Sequence, residues 1–312
     1  MTSTTESATT APTTSGPLQI EDLDLPTRGE GEPVVTAVIV HAAGVEMISG
    51  PLSSVEITSV SGAPGREDQL HIPLPRIRSD GLVEYATELP DGSLQLVVVD
   101  PLSASVMSTS ALSTQPAVMT ETALEPSDAG ASLVMYREGD SSLQYGIRDA
   151  TTGQVVWVED SDFIPLTPHP DGGFLVSGGR VPGSRWLTAT GEIIDAGYRG
   201  LPNGWSAAFG PNQLLAIGTA NSGVIIVEPS GTSAVVTDLP VGSAGDLAWD
   251  DSGTVLLVNM AVAFDTATSG VYGCDLTGKM CHKIVDYKHD LRLATDQHTD
   301  RFGESPPRAS TN

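Results

Sequence analysis

"GDLAWDDSGTVLLVNM", residues 245–260, reads as one β-hairpin: an apolar strand, a turn at Asp250–Gly253, and a second strand led by Val255–Val258. A short apolar run bounded by Asp, Ser and Gly is what a strand covered on both faces looks like in sequence. The same punctuation recurs along the chain. It appears as "LPDGSLQLVVVD" (89–100), "PSDAGASLVMY" (126–136), "HPDGGFLVSGG" (169–179) and "GPNQLLAIGT" (210–219), with a weaker copy in "AAGVEMISG" (42–50). Taking positions 44, 92, 130, 172, 212 and 253, successive copies are 48, 38, 42, 40 and 41 residues apart.

A second mark follows each later copy by 23, 19, 19 and 25 residues: the Thr-Gly or Ser-Gly turns at Gly153, Gly191, Gly231 and Gly278. Each is flanked by short strand-like runs, as expected where a hairpin needs one residue of positive φ. Two hairpins per period make four antiparallel strands every 40 residues or so, the pattern of a β-propeller blade. A blade cannot cover both of its own faces, so blades stack around an axis and share their apolar surfaces. The reading is therefore an all-β chain, a propeller of about six four-stranded antiparallel blades. The degenerate first copy leaves five or seven open. Residues 1–17 read as a flexible Thr/Ser-rich tether, 18–294 as the single propeller domain, and 295–312 as a disordered tail.

"GWSAAFGPNQLLAIGT" (204–219) and "GDLAWDDSGTVLLVNM" resemble the Trp-x-x-Asp-Gly-x-x-Leu pattern of TolB-like and other WD40-like bacterial propeller repeats. The eukaryotic Gly-His and Trp-Asp signature pairs are absent as a repeating set. "YGCDLTGKMCHKI" (272–284) is similar to a Cys-bearing hairpin of extracytoplasmic propeller proteins from actinobacteria. That resemblance implies a location outside the cytoplasm and no particular activity.

Cys274 and Cys281 are the only cysteines. A two-residue loop at Thr277–Gly278 would set Leu276 opposite Lys279, Asp275 opposite Met280, and Cys274 opposite Cys281. Directly opposed residues lie about 4.5–5.5 Å apart at Cα, within reach of a disulfide. A structural disulfide implies an oxidising compartment. The rival readings are two reduced apolar fillers, or a zinc or redox pair; the latter lacks both a second cysteine pair and CxxC spacing.

The formal net charge is −24, from 39 acidic and 15 basic residues. Such a surface repels phosphate backbones and anionic headgroups, so nucleic acid and membrane-surface partners are disfavoured. No apolar run reaches the roughly 18 residues of a membrane span. The domain itself is not expected to insert, though the Thr/Ser-rich start suits a tether below an upstream anchor.

No catalytic constellation is legible. The six histidines (41, 71, 169, 282, 289 and 298) form no metal-ligand spacing, and only His41 and His169 fall near inner-strand turns. No nucleophile elbow, calcium loop or phosphate cradle is present. No cofactor or metal is expected. Trp157, Trp186, Trp205 and Trp249 each fall on an expected strand and are read as blade-to-blade packing, with stacking against a sugar as the alternative. Six arginines share a pattern. Arg137, Arg180 and Arg185 fall in loops after a second strand, and Arg76, Arg78 and Arg199 fall between blades, which puts all six on one rim. Guanidinium groups so placed suit an anionic ligand or an acidic protein surface. The expected function is a non-catalytic binding scaffold for such a partner. The alternatives are a hydrolase or lyase acting on glycans or small esters at the channel mouth, and a lectin-like module.

Overall fold

The computed structural model describes residues 20, 23–27, 30–66, 75–78, 80–91, 93–112, 120–124, 131–136, 144–149, 152, 154–158, 163–168, 173–178, 183–188, 190–194, 201–220, 223–250, 252–263 and 265–296. Its strands fall into six sheets arranged as a propeller. Blade 1 holds β1 (Val34–His41), β2 (Gly44–Pro51) and β3 (Glu56–Ser59). Blade 2 holds β4 (Arg76–Ile77), β5 (Val83–Glu88), β6 (Leu94–Asp100) and β7 (Ser105–Leu112). Blade 3 is β8 (Thr120–Leu124), β9 (Ala131–Tyr136), β10 (Gln144–Asp149) and β11 (Val155–Trp157). Blade 4 is β12 (Phe163–Pro168), β13 (Phe174–Gly178), β14 (Ser184–Leu187) and β15 (Ile193–Ile194). Blade 5 is β16 (Ser206–Phe209), β17 (Leu215–Gly218), β18 (Val224–Val227) and β19 (Ser233–Val235). Blade 6 is β20 (Ser243–Trp249), β21 (Val255–Ala261), β22 (Gly270–Asp275) and β23 (Met280–Asp286). The chain then returns to the axis as β24 (Arg292–Leu293) and β25 (Thr295–Asp296).

β24 pairs with β1 and so becomes the innermost strand of blade 1, while β25 lies parallel to β4 on the inner edge of blade 2. One extended segment thus closes the ring and continues into the next sheet. Five sheets have four strands and the sixth has five, so the four-stranded blade occurs five times against the six or so expected. Thr295 and Asp296, placed in the tail by their polar composition, belong to this closing segment. Backbone pairing, not apolar content, holds them.

The closure also corrects the repeat. In blades 4, 5 and 6 the Asp-Gly-type mark joins the first and second strands. Because β24 is the first strand of blade 1, Gly44 instead marks the turn between its second and third strands. Asp91 holds the same position in blade 2, between β5 and β6; the first hairpin there turns at Asp80–Gly81, with Gly81 at φ 80°. Asp-Gly chemistry serves any tight turn, so it cannot say which hairpin it closes.

The sharing of faces is visible residue by residue. Tyr145, Ile147 and Val158 of blade 3 pack with Phe163, Phe174 and Leu187 of blade 4, and the Tyr145 and Phe163 rings stack at 4.7 Å. Trp186 and Leu175 meet Leu215 and Ile217 across the blade 4–5 seam. Ala208, Leu214 and Ile226 of blade 5 join Trp249, Leu256 and Cys274 of blade 6. Val35, Ile39 and Ile48 of blade 1 join Leu257, Val271 and the closing residues Leu291 and Leu293. At about 25 cal/mol per Å² removed from water, these seams dominate the stability of sheets that could not fold alone. Trp249 shows the fit. Its Nε1 donates to the Ala208 carbonyl at 3.2 Å, and a side chain on Gly210 would start 2.4 Å from its ring.

Strand direction defines two rims. One carries the first-to-second and third-to-fourth hairpins; the other, here called the crossover rim, carries the second-to-third hairpins and the links between blades.

Candidate functional site

The cysteines are joined, with Cα atoms 4.0 Å apart, and the register pairs Cys274 with Cys281 and Asp275 with Met280 as the spacing predicts. The turn differs in one respect. Lys279 (φ 55°), not Gly278, takes the left-handed conformation. Gly278 is needed for space instead, because a Cβ there would lie 2.5 Å from the Asp275 carboxylate that caps the turn.

Three of the six arginines are described; Arg137, Arg180 and Arg199 lie outside the described residues. Arg76 sits on β4, a strand the sequence reading had as a link, and binds the Glu84 carboxylate through Nε at 3.0 Å and through Nη2. Arg78 sits in the β4–β5 turn, where its guanidinium lies 2.8 Å from Asp80 and 3.7 Å from Glu84. Arg185 is the second residue of β14, at its crossover-rim end, and not in a loop. Arg78 and Arg185 therefore occupy opposite rims, and the single six-arginine rim is not formed. The error follows from the misplaced hairpin in blade 2, which moved Arg76 and Arg78 by one strand.

On the inner strands, Asp246 and Arg292 face one another. Asp246 on β20 is 4% exposed and accepts the Leu293 N–H at 3.0 Å and Asn259 Nδ2 at 3.1 Å, with Arg292 Nη1 at 3.4 Å. Asn259 also donates to the Leu291 carbonyl at 2.9 Å. This node fastens blade 6 to the closing strand. On the crossover rim, Glu46 holds Lys288 on one oxygen, while His41 Nε2 stands 3.6 Å from the other. His41 Nδ1 accepts the Ala43 N–H at 3.2 Å, so the ring proton belongs on Nε2, facing Glu46. Burial first, and the Lys288 charge second, hold the His41 pKa below its ordinary value, against the opposing pull of Glu46. Among the described residues no group of three or more His, Cys, Asp or Glu side chains could hold a metal ion.

One surface on the crossover rim is both exposed and rigidly built. It is the seam of blades 4 and 5, where the chain crosses as Leu201–Trp205. The Gly183 N–H donates to Asn203 Oδ1 at 2.7 Å, and Ser184 Oγ to the Pro202 carbonyl at 2.8 Å. The Gly204 N–H donates to the buried Ser177 Oγ at 2.8 Å, and the Trp205 N–H to the Gly218 carbonyl at 2.8 Å. No side chain fits at Gly204, since its Cβ would fall 2.6 Å from Ile217. These bonds present Trp205 to solvent at 58% exposure. Arg185 alternates with Ser184 and Trp186 along β14 and so lies on the other face of the blade, the side that packs toward blade 3. Trp205 and Trp157 (44% exposed) are the two tryptophans that blade packing does not explain, whereas Trp186 and Trp249 are buried as expected. Sequence reasoning missed Trp205 because a tryptophan beside a strand looks the same whether it faces in or out. The adjacent Asn203–Gly204 pair was the available signal: it precedes the bend at Trp205 that re-aims the side chain.

No family model and no curated protein matches the chain. Among solved structures, TolB from Acinetobacter baumannii superposes with a TM-score of 0.57 at 13% identity, over 84% of this chain and 66% of that one. The chain folds as a TolB-like β-propeller. A puromycin hydrolase S511A mutant gives a TM-score of 0.47 at 15% identity, over 84% of this chain and 48% of that one. The GH74 enzyme of Niastella koreensis gives 0.45 at 13%, over 82% and 38%. The chain spans just under two thirds of the first structure and less than half of the other two. At such identities the likeness is of fold, and propellers host many unrelated functions.

Proposed function

We propose that the chain is a non-catalytic, extracytoplasmic propeller that serves as a binding scaffold, with the blade 4–5 crossover surface as its docking face. The observation that carries this reading is Trp205: a large apolar side chain held out in water by four hydrogen bonds and a glycine that admits no alternative. Exposed, preorganised tryptophans are residues on which partner binding concentrates. The partner that fits is a protein with an apolar pocket matched to Trp205. Two buried carboxylates support the non-catalytic part, since Asp246 and Glu84 are taken up by backbone and guanidinium groups of the closing and inner strands. The Cys274–Cys281 bond supports a compartment that favours disulfides.

Photocrosslinking tests the docking face. A photoreactive phenylalanine at position 205, in the producing cell, is expected to give one discrete protein adduct. The same residue at Leu102, 95% exposed on the opposite rim, is expected to give none. Equal adducts at both positions, or none at 205, would refute the assignment.

A further inference from the structure

The N-terminal approach to the ring does not run to blade 1 directly. It first crosses the outer seam of blades 5 and 6. Leu23, 7% exposed, is part of the apolar cluster that includes Cys274 and Leu276, and Ile20, Leu25 and Cys281 pack against that cluster. The Asp24 N–H donates to Glu228 Oε1 at 2.6 Å, and Asn212 Nδ2 donates to the Asp24 carbonyl at 2.8 Å. Beside this crossing lies a cavity of about 140 Å³, walled by Ile20, Val236, Leu276 and both cysteines.

The disulfide hairpin forms one wall of that seam. Along β23 only Ile284 and Val285 are buried; Met280 is 52% exposed and the turn end projects beyond the core. What ties the turn end to blade 5 is the Cys281 N–H, which donates to Asp238 Oδ2 at 2.9 Å. Both cysteines line the cavity, but Cys274 is 1% exposed whereas Cys281 is half-buried, which makes Cys281 the more accessible residue of the pair.

We propose that the Cys274–Cys281 bond is a redox-released clasp on the blade 5–6 seam: its reduction frees the N-terminal segment at Leu23 while the ring stays closed. A dithiol reductant attacks Sγ of Cys281, the more accessible residue, and the Cys274 thiolate leaves and takes up a proton. The second thiol of the reductant then attacks the mixed disulfide, releasing the Cys281 thiol. Two electrons pass to the cysteine pair, and the reductant departs as its own cyclic disulfide. Without the cross-link, the exposed half of β23 has little apolar burial to hold its position, so the Asp238 contact and the Ile20–Leu23 packing loosen together. The closing node at Asp246 lies on the inner strands and shares no residue with the clasp.

Hydrogen exchange with mass spectrometry, on the oxidised protein, the protein reduced by dithiothreitol, and a Cys274→Ala/Cys281→Ala variant, decides the matter. Peptides covering 20–25 and 235–239 are expected to exchange at least about tenfold faster in both cysteine-reduced forms, with 38–40 and 291–294 unchanged. Leu23→Ser in the oxidised protein is expected to reproduce the change at 20–25 alone. Faster exchange confined to 274–283 would overturn the proposal, as would loss of protection throughout the ring. Failure of the double variant to fold would overturn it too, because the clasp would then be essential to closure.

Discussion

Replacing Asp246 by alanine should open the ring at one identifiable place. The substitution removes the acceptor of the Leu293 N–H, a backbone donor on a residue 1% exposed, which water cannot reach without local opening. An orphaned buried donor costs about 1–3 kcal/mol. The Arg292 guanidinium, with side-chain exposure of 26%, loses a charged partner at 3.4 Å, a weaker effect of roughly 0.5–1 kcal/mol in a partly wet site. Asn259 keeps its bond to the Leu291 carbonyl, which limits the damage. Against these stands the relief of no longer burying a carboxylate, so the net expectation is about 2–3 kcal/mol of destabilisation. Asp246→Asn keeps an oxygen for the Leu293 N–H and should cost about 1 kcal/mol. Urea titration of the three proteins gives the stabilities, and amide exchange at Leu293 and Ala294 locates the loss. A change below about 0.5 kcal/mol for alanine, or equal losses for alanine and asparagine, would refute the account of this node.

Other outcomes follow from the same packing. Removing both cysteines should lower stability by about 2.5 kcal/mol on the chain-entropy model for so small a ring, measured by urea titration of the oxidised protein against the double alanine variant. His41 has a folded pKa below its unfolded value, so its unfolded form binds the proton more readily. Its contribution is therefore complete above the ordinary histidine range and lost as pH falls through the folded pKa. Stability measured from pH 8 down to 5 should decline accordingly, and His41→Gln should flatten that part of the profile. Gly204→Ala should cost about 1–3 kcal/mol through the clash with Ile217, whereas Trp205→Ala should leave stability within about 0.5 kcal/mol, since its ring is mostly in water. Both changes should weaken affinity for the partner that the position-205 crosslink identifies, measured without the photoreactive residue, the first by displacing the side chain and the second by removing it.

The sequence made the local features legible and hid the ones that depend on distant chain. Two-residue hairpin geometry is a local property, so the Cys274–Cys281 register could be worked out from the Thr-Gly spacing alone. The blade cadence was legible for the same reason: each turn announces itself by Asp, Asn or Gly. What no local pattern carries is that Arg292 and Leu293, 250 or so residues downstream, insert inside β1. That insertion turns β1 into a second strand. A matching first hairpin in blade 2 rests on a two-residue strand, too short to leave a periodicity. Arg76 and Arg78 were misplaced as a direct consequence. The exposure of Trp205 was hidden differently: it depends on the bend at Trp205 and on Gly204 before it, which is held by Ser177 and hemmed in by Ile217 of neighbouring strands.

Ring closure by the C-terminal segment is the claim on which the rest depends, and paired truncations measured by urea unfolding test it most directly. A chain ending at Asp296 should keep the stability and cooperativity of the full protein. One ending at Asp290 lacks the strand that pairs with Ile39 and Val40, and should unfold without a single cooperative transition. Equal, cooperative stability of the two truncations would contradict the account.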